Sequence, residues 1–165
     1  MKQVMVIIIL TICILMNSGC TSAELIKNNI DNQQTANDIS DKVIKCINDD
    51  DLEELKKLFC EQDQSQGAFD NDVKYLFDCI DGKIISYDIN YRGEESLSVG
   101  EDGKIERQRD GIRIENIVVN NSEEKYVIRI YRCTINTEDR TEEGITSIEL
   151  RDSDNKNIIA TVGCN

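Results

Sequence analysis

Thiols and carboxylates dominate the reactive side chains of this chain, and imidazole is absent. There are seven cysteines, 32 acidic residues and no histidine. Without histidine the usual general base at neutral pH, the Ser-His and Cys-His nucleophile pairs and the commonest zinc ligand are all missing. No CxxC spacing marks a redox pair or zinc knuckle, and neither a GxGxxG nor a P-loop pattern occurs. Any two of 32 acids can be paired on paper, so a carboxylate glycosidase has no specific signal. Asp49-Asp50-Asp51 and Asp152-Ser153-Asp154-Asn155 have a flavour of calcium-loop spacing but lack the glycine and the bidentate glutamate of such a loop. A helix cap and a hairpin turn account for them without a metal. No cofactor, metal ligand or catalytic residue is assigned, and the reading is of a non-enzyme. The residues left as candidate pocket lining are Tyr87, Tyr91 and Arg92 near one strand end and Arg129 and Tyr131 on a later strand, with Cys133 beside them. Ordinary edge packing and a buried cysteine explain the same residues.

One cysteine has a chemical context of its own. Lys2 precedes an apolar run of thirteen residues, Val4 to Met16, containing no charge. A membrane-spanning helix needs about 20 apolar residues for about 30 Å of hydrocarbon, so this run matches a cleaved export signal. It ends in Asn17-Ser18-Gly19-Cys20, and small residues before a cysteine resemble a lipobox, in which the chain is cut between Gly19 and Cys20 and Cys20 is acylated. The rival is ordinary cleavage after Ala23. The lipobox reading gives residues 1–19 as signal peptide, 20–34 as lipidated cysteine and flexible polar tether, and 35–165 as a single domain. It places the protein at the cell membrane, on the extracellular face, held by its N-terminal lipid (palmitate-type acylation). Cys13 falls to the signal and Cys20 to the anchor, which leaves Cys46, Cys60, Cys79, Cys133 and Cys164. Five is odd, so one thiol stays unpaired; the expectation is mostly reduced, structural cysteines with room for one disulfide.

The cut before Cys20 removes one lysine and no acid, leaving 18 bases against 32 acids, a charge of −14. Nucleic-acid binding draws its affinity from neutralising phosphates with Lys and Arg, and no stretch has the basic density for it. The partners expected are therefore the membrane, through the lipid, and an envelope ligand or protein.

The elements that would position these residues separate along the chain. From Thr35, Ile39, Val43, Cys46 and Ile47 recur at helical spacing, with Asn37 or Asp38 able to cap. The Asp49–Asp51 cluster caps a second helix with Leu52, Leu55, Leu58 and Phe59 inward, and a third runs from about Phe69 to Ile80 with Gly82 as its stop. Beyond Gly82 the period becomes two. Ile85, Tyr87, Ile89 and Tyr91 form an apolar strand face that ends at Gly93, Asp102-Gly103 marks a hairpin turn, and 112–119, 126–135, 145–150 and 158–162 read as further strands. Helices segregated before an antiparallel sheet define an α+β domain, with three N-terminal helices on one face of a bent sheet of about five strands.

The segment Tyr75-Leu76-Phe77-Asp78-Cys79-Ile80-Asp81-Gly82-Lys83-Ile84-Ile85-Ser86-Tyr87 resembles the signature of a group of Gram-positive lipoproteins, domain of unknown function 5104. Tyr131 to Asn136, the acidic loop Glu138-Asp139-Arg140-Thr141 and Gly144 to Ile148 resemble that family's strand, turn and closing strand, although its loop usually carries a proline and this chain has none. The resemblance spans roughly Ile39 to Leu150 and implies a fold and no reaction. The organisation is also similar to the cystatin-like, nuclear-transport-factor-like cone, in which a bent sheet wraps a helix and leaves a pocket. Three classes of function follow: a surface-tethered ligand- or protein-binding module, which leads; a lipoprotein-type immunity factor against a secreted toxin; and a cone-fold pocket enzyme using carboxylates.

Overall fold

The computed structural model describes the backbone of residues 20–163 and the side chains of residues 31–163 other than residue 94. The signal segment, the Cys20 side chain and Cys164 lie outside the described residues. The chain divides into two compact units, residues 1–35 and 36–165.

Helix α1 is Cys20–Asp49. Within the first unit the described backbone is helical, and the Thr35 hydroxyl donates to the Asp31 carbonyl at 2.9 Å. The sequence places a flexible tether from Thr21 to Gln34 and starts the helix near Thr35; the structure has helix throughout, so Asn37 and Asp38 lie inside it rather than at its cap. The cause is an absence of breakers: no glycine or proline occurs between Cys20 and Asp49. No helix among the described residues is long and apolar enough to cross a membrane.

In the second unit α1 leads into α2 (Leu52–Lys56), α3 (Glu61–Gln64) and α4 (Phe69–Asp78). The Asp51 carboxylate accepts from the Glu54 amide at 3.0 Å, a side-chain cap with two glutamates in the first turn. Three helices were expected over 35–80. The additional one, α3, is four residues of Glu, Gln and Asp with no apolar stripe to announce it.

Five antiparallel strands follow in simple meander order: β1 (Ile84–Val99), β2 (Ile105–Val119), β3 (Tyr126–Asn136), β4 (Gly144–Asp152) and β5 (Ile158–Gly163). A 3-10 turn, Arg140–Glu142, joins β3 to β4. Residue Phe59 pairs in parallel with Ile145, its neighbours bonding Cys60 N–H to Ile145 carbonyl at 2.9 Å and Ile145 N–H to Leu58 carbonyl at 3.0 Å. The domain is α+β, as its sequence period implies.

Two differences lie in β1. The strand does not end at Gly93: that residue adopts φ +78° at a register shift, and the strand bulges there and continues to Val99. Shifts at Ile84/Ser86 and Ser86/Asp88 also break the alternation, so Ile84 is buried while Ile85, expected inward, is 63% exposed.

The core lies on the helix-facing side of the sheet. Ile112, Ile130, Ile148 and Val162 stand in register across β2 to β5, and Ile114, Ile128, Leu150 and Ala160 form the next row. They pack with Val43 and Ile47 of α1, Leu55 of α2 and Phe69, Val73 and Leu76 of α4. Phe59 and Phe69 meet edge to face with centroids 4.8 Å apart.

Candidate functional site

Because side chains alternate along a strand, the residues between those isoleucines face the other way. Across that solvent-facing side the register places Asn90, Arg113, Arg129, Glu149 and Thr161 in one row, and Gly111, Tyr131 and Ser147 in the next. All eight arginines of the chain occur from Arg92 onward, and seven of them lie on strands.

These rows form a small pocket of about 70 Å³, lined by Arg92, Glu95, Gly111, Arg113, Arg129 and Tyr131. It shares Arg113 with a cleft of about 270 Å³ that runs past Glu115, Val118, Lys125 and Val127. It shares Glu95 and Tyr131 with another of about 260 Å³, lined also by Arg109, Asp110, Arg132 and Thr146. Concavity with a few convergent polar groups is what a ligand site requires.

The cations here differ in how far they are committed. Arg113 Nε lies 2.8 Å from the Glu115 carboxylate, and Arg151 Nε donates to buried Glu149 at 2.7 Å. Arg129 donates to the Tyr131 hydroxyl at 3.3 Å and has no ion-pair partner among the described residues; nor has Arg92. Gly111 lines the pocket too, and a Cβ added there would meet a Glu95 carboxylate oxygen at 2.5 Å.

Of the candidate residues read from the sequence, the structure brings Arg129 and Tyr131 together in this pocket, with Arg92 beside them. Tyr87 and Tyr91 are elsewhere. The Tyr87 hydroxyl donates to Asp41 of α1 at 2.7 Å, and burial, then that hydrogen bond, pushes it up to about 12. Tyr91 packs against the core and donates to Asp110 at 3.2 Å. Asp110 is itself held by Arg132, through Nε at 2.8 Å and through a second, shorter bond from Nη2. Both are almost fully buried at positions that continue the rows of Ile112 and Ile130. Gly111, Arg113 and Glu95 were not singled out by sequence. The available signal was an arginine at the polar phase of two strands, Ile112-Arg113-Ile114 and Ile128-Arg129-Ile130.

The thiols and acidic clusters have local work. Cys46, Cys60, Cys79 and Cys133 are free, and the first two and the last are buried. Burial, then the Asp63 carboxylate that accepts its S–H at 2.9 Å, raises Cys60 to about 11; burial likewise raises Cys46. Such thiols are protonated and poor nucleophiles at neutral pH. Cys133 donates to the Ile135 carbonyl at 3.4 Å. Asp152 closes the β4–β5 turn by accepting from the Lys156 amide at 2.8 Å and from Asn157 Nδ2 at 2.6 Å. Those amides hold its carboxyl below the usual range. No group of three or more metal-ligating side chains gathers among the described residues.

A family model described as domain of unknown function (DUF5104) matches residues 42–157, well over half of the chain. The match takes in α2 to β4 and every residue of the arginine pocket. Comparison with curated proteins gives no match.

Proposed function

The chain belongs to the family of the domain of unknown function 5104, and from that premise we propose that it is a cell-envelope lipoprotein whose α+β domain is a binding module. Its ligand or protein partner enters the cleft on the solvent-facing side of the sheet. The observation that carries this is the pocket holding Arg92 and Arg129, two guanidinium groups without carboxylate partners among the described residues, in a chain with 32 acids. Such a chain has ample carboxylate to neutralise its cations, so cations left uncommitted in a concavity are available to something from outside.

The proposal includes the remainder of the sequence reading. Residues 1–19 are removed as a signal peptide, Cys20 carries the lipid, and the domain faces outward from the membrane. The repeatedly bulged sheet with helices on one side supports the analogy to a cystatin-like cone.

Two arms test it. Labelled fatty acid supplied to a host expressing the full chain should enter the wild type and not Cys20→Ala; label in neither sinks the anchor. Amide shifts of the processed protein, titrated with a mixed set of small polar and charged fragments, should cluster at Gly111, Arg113, Arg129 and Tyr131. Shifts confined to the helices, or none, sink the binding module.

A further inference from the structure

We propose that the arginine pocket receives a carboxylate group of the ligand, which displaces the chain's own Glu95 from its place over Gly111. The inference rests on the binding-module reading and names the chemistry of its ligand.

Size comes first. At about 70 Å³ the pocket is much smaller than the clefts of about 270 and 260 Å³ that adjoin it, so it suits one small group while the rest of a ligand lies in those clefts. Charge comes next. Three guanidinium groups, of Arg92, Arg113 and Arg129, line the pocket against one carboxylate, Glu95; among the described residues only Arg113 of the three has an ion pair, with Glu115, and Glu149 across from Arg129 is held by Arg151. In a chain of net charge −13 the general field repels anions; a local cationic concavity is what lets one approach, and low-dielectric walls focus its field. Donor geometry follows. Arg129 retains fork donors beyond the one given to Tyr131, and the Tyr131 hydroxyl, which accepts that bond, keeps its own O–H to donate. A guanidinium fork beside a phenol is complementary to two carboxylate oxygens.

The choice of a carboxylate comes from Glu95. Its side chain lies over Gly111, where the missing Cβ leaves space, and it forms no hydrogen bond or ion pair among the described residues. A carboxylate thus already lines the pocket without an ion pair to its arginines among the described residues. A ligand carboxylate seated between Arg129 and Tyr131 would meet both directly and push Glu95 away from Gly111.

The test titrates the processed protein with sodium acetate, sodium succinate and inorganic phosphate at constant ionic strength set by sodium chloride, following amide shifts. Both carboxylates should give saturable shifts at Gly111, Arg113, Arg129 and Tyr131. Hydrogen bonds to charged groups are worth about 1.5–3 kcal/mol, so Arg129→Gln should weaken succinate about tenfold or more. Tyr131→Phe, which removes one hydroxyl and leaves the packing, should weaken it about threefold and serves if Arg129→Gln fails to fold. Glu95→Gln removes a competing like charge and should tighten binding about fivefold, given roughly 1 kcal/mol for a screened charge pair. No saturable shift in the wild type, unchanged affinity in folded Arg129→Gln and Tyr131→Phe, weaker binding in Glu95→Gln, or phosphate bound in preference to succinate would each overturn the proposal. If uncharged fragments map to the cleft while carboxylates do nothing, this inference fails alone and the binding module stands; if nothing maps there, both fail.

Discussion

The two sides of the sheet are made from the same strands and are built for different ends. On the helix-facing side Ile112, Ile114, Ile128, Ile130, Ile148 and Leu150 are essentially inaccessible and interlock in register. On the solvent-facing side the same pairing brings Arg113, Arg129, Tyr131 and Glu149 into rows and opens a cleft. Arg129 and Ile130 are chain neighbours, so one peptide unit separates a residue that holds the fold from one available to a ligand. Stability and recognition are therefore separable by substitution, residue by residue along one strand.

That separation can be broken in order of expected effect. One exception to the apolar pattern is the buried Asp110–Arg132 pair, which also lines the cleft beside the pocket and is capped by Tyr91. Asp110→Ala strands an uncompensated guanidinium and should cost about 3–5 kcal/mol in urea unfolding, whereas replacing both partners with apolar residues of similar volume should cost far less. Ile130→Ala should cost about 2–5 kcal/mol through lost burial and the cavity it leaves. Raising the pH attacks the same side. Burial, then Glu124, pushes the Tyr126 phenol up to about 12, against about 10 in an unfolded chain. The folded state thus prefers the protonated phenol, and its contribution is complete below pH about 10 and lost as the pH rises towards 12. Unfolding midpoints measured across that window should fall together with the appearance of tyrosinate absorbance. Cys60, raised to about 11, should react with a thiol reagent at pH 8 far more slowly in the native protein than in denaturant. Arg129→Gln, on the solvent-facing side, gives up one part-buried hydrogen bond to Tyr131 and should cost no more than about 1.5 kcal/mol.

Much of this architecture is legible in the sequence because period is a direct readout of secondary structure. The switch at Gly82, the Asp51 cap and the Asp102-Gly103 turn each have a local physical cause, and each is found where that cause acts. Features that depend on distant pairing were not legible. The inward set of β1 is altered by register shifts, including one at Asn116, whose φ of 53° and bond to Asp88 at 2.7 Å depend on the partner strand. The helical run of α1 through residues 20–34 follows from an absence of breakers, which carries no pattern of its own, and α3 is too short to carry one. The same holds for the pocket. Arg129 and Tyr131 could be marked on their own strand, but only the β2–β3 register puts Arg113 opposite Arg129 and Gly111 opposite Tyr131.

The most direct test of the central claim, that the solvent-facing side of the sheet is the recognition surface, is to measure succinate affinity and urea midpoint together on wild type and Arg129→Gln. The account predicts that affinity falls about tenfold or more while the midpoint falls only by the small amount that one lost hydrogen bond explains. Affinity retained in the variant, or lost only in step with the midpoint, would contradict it.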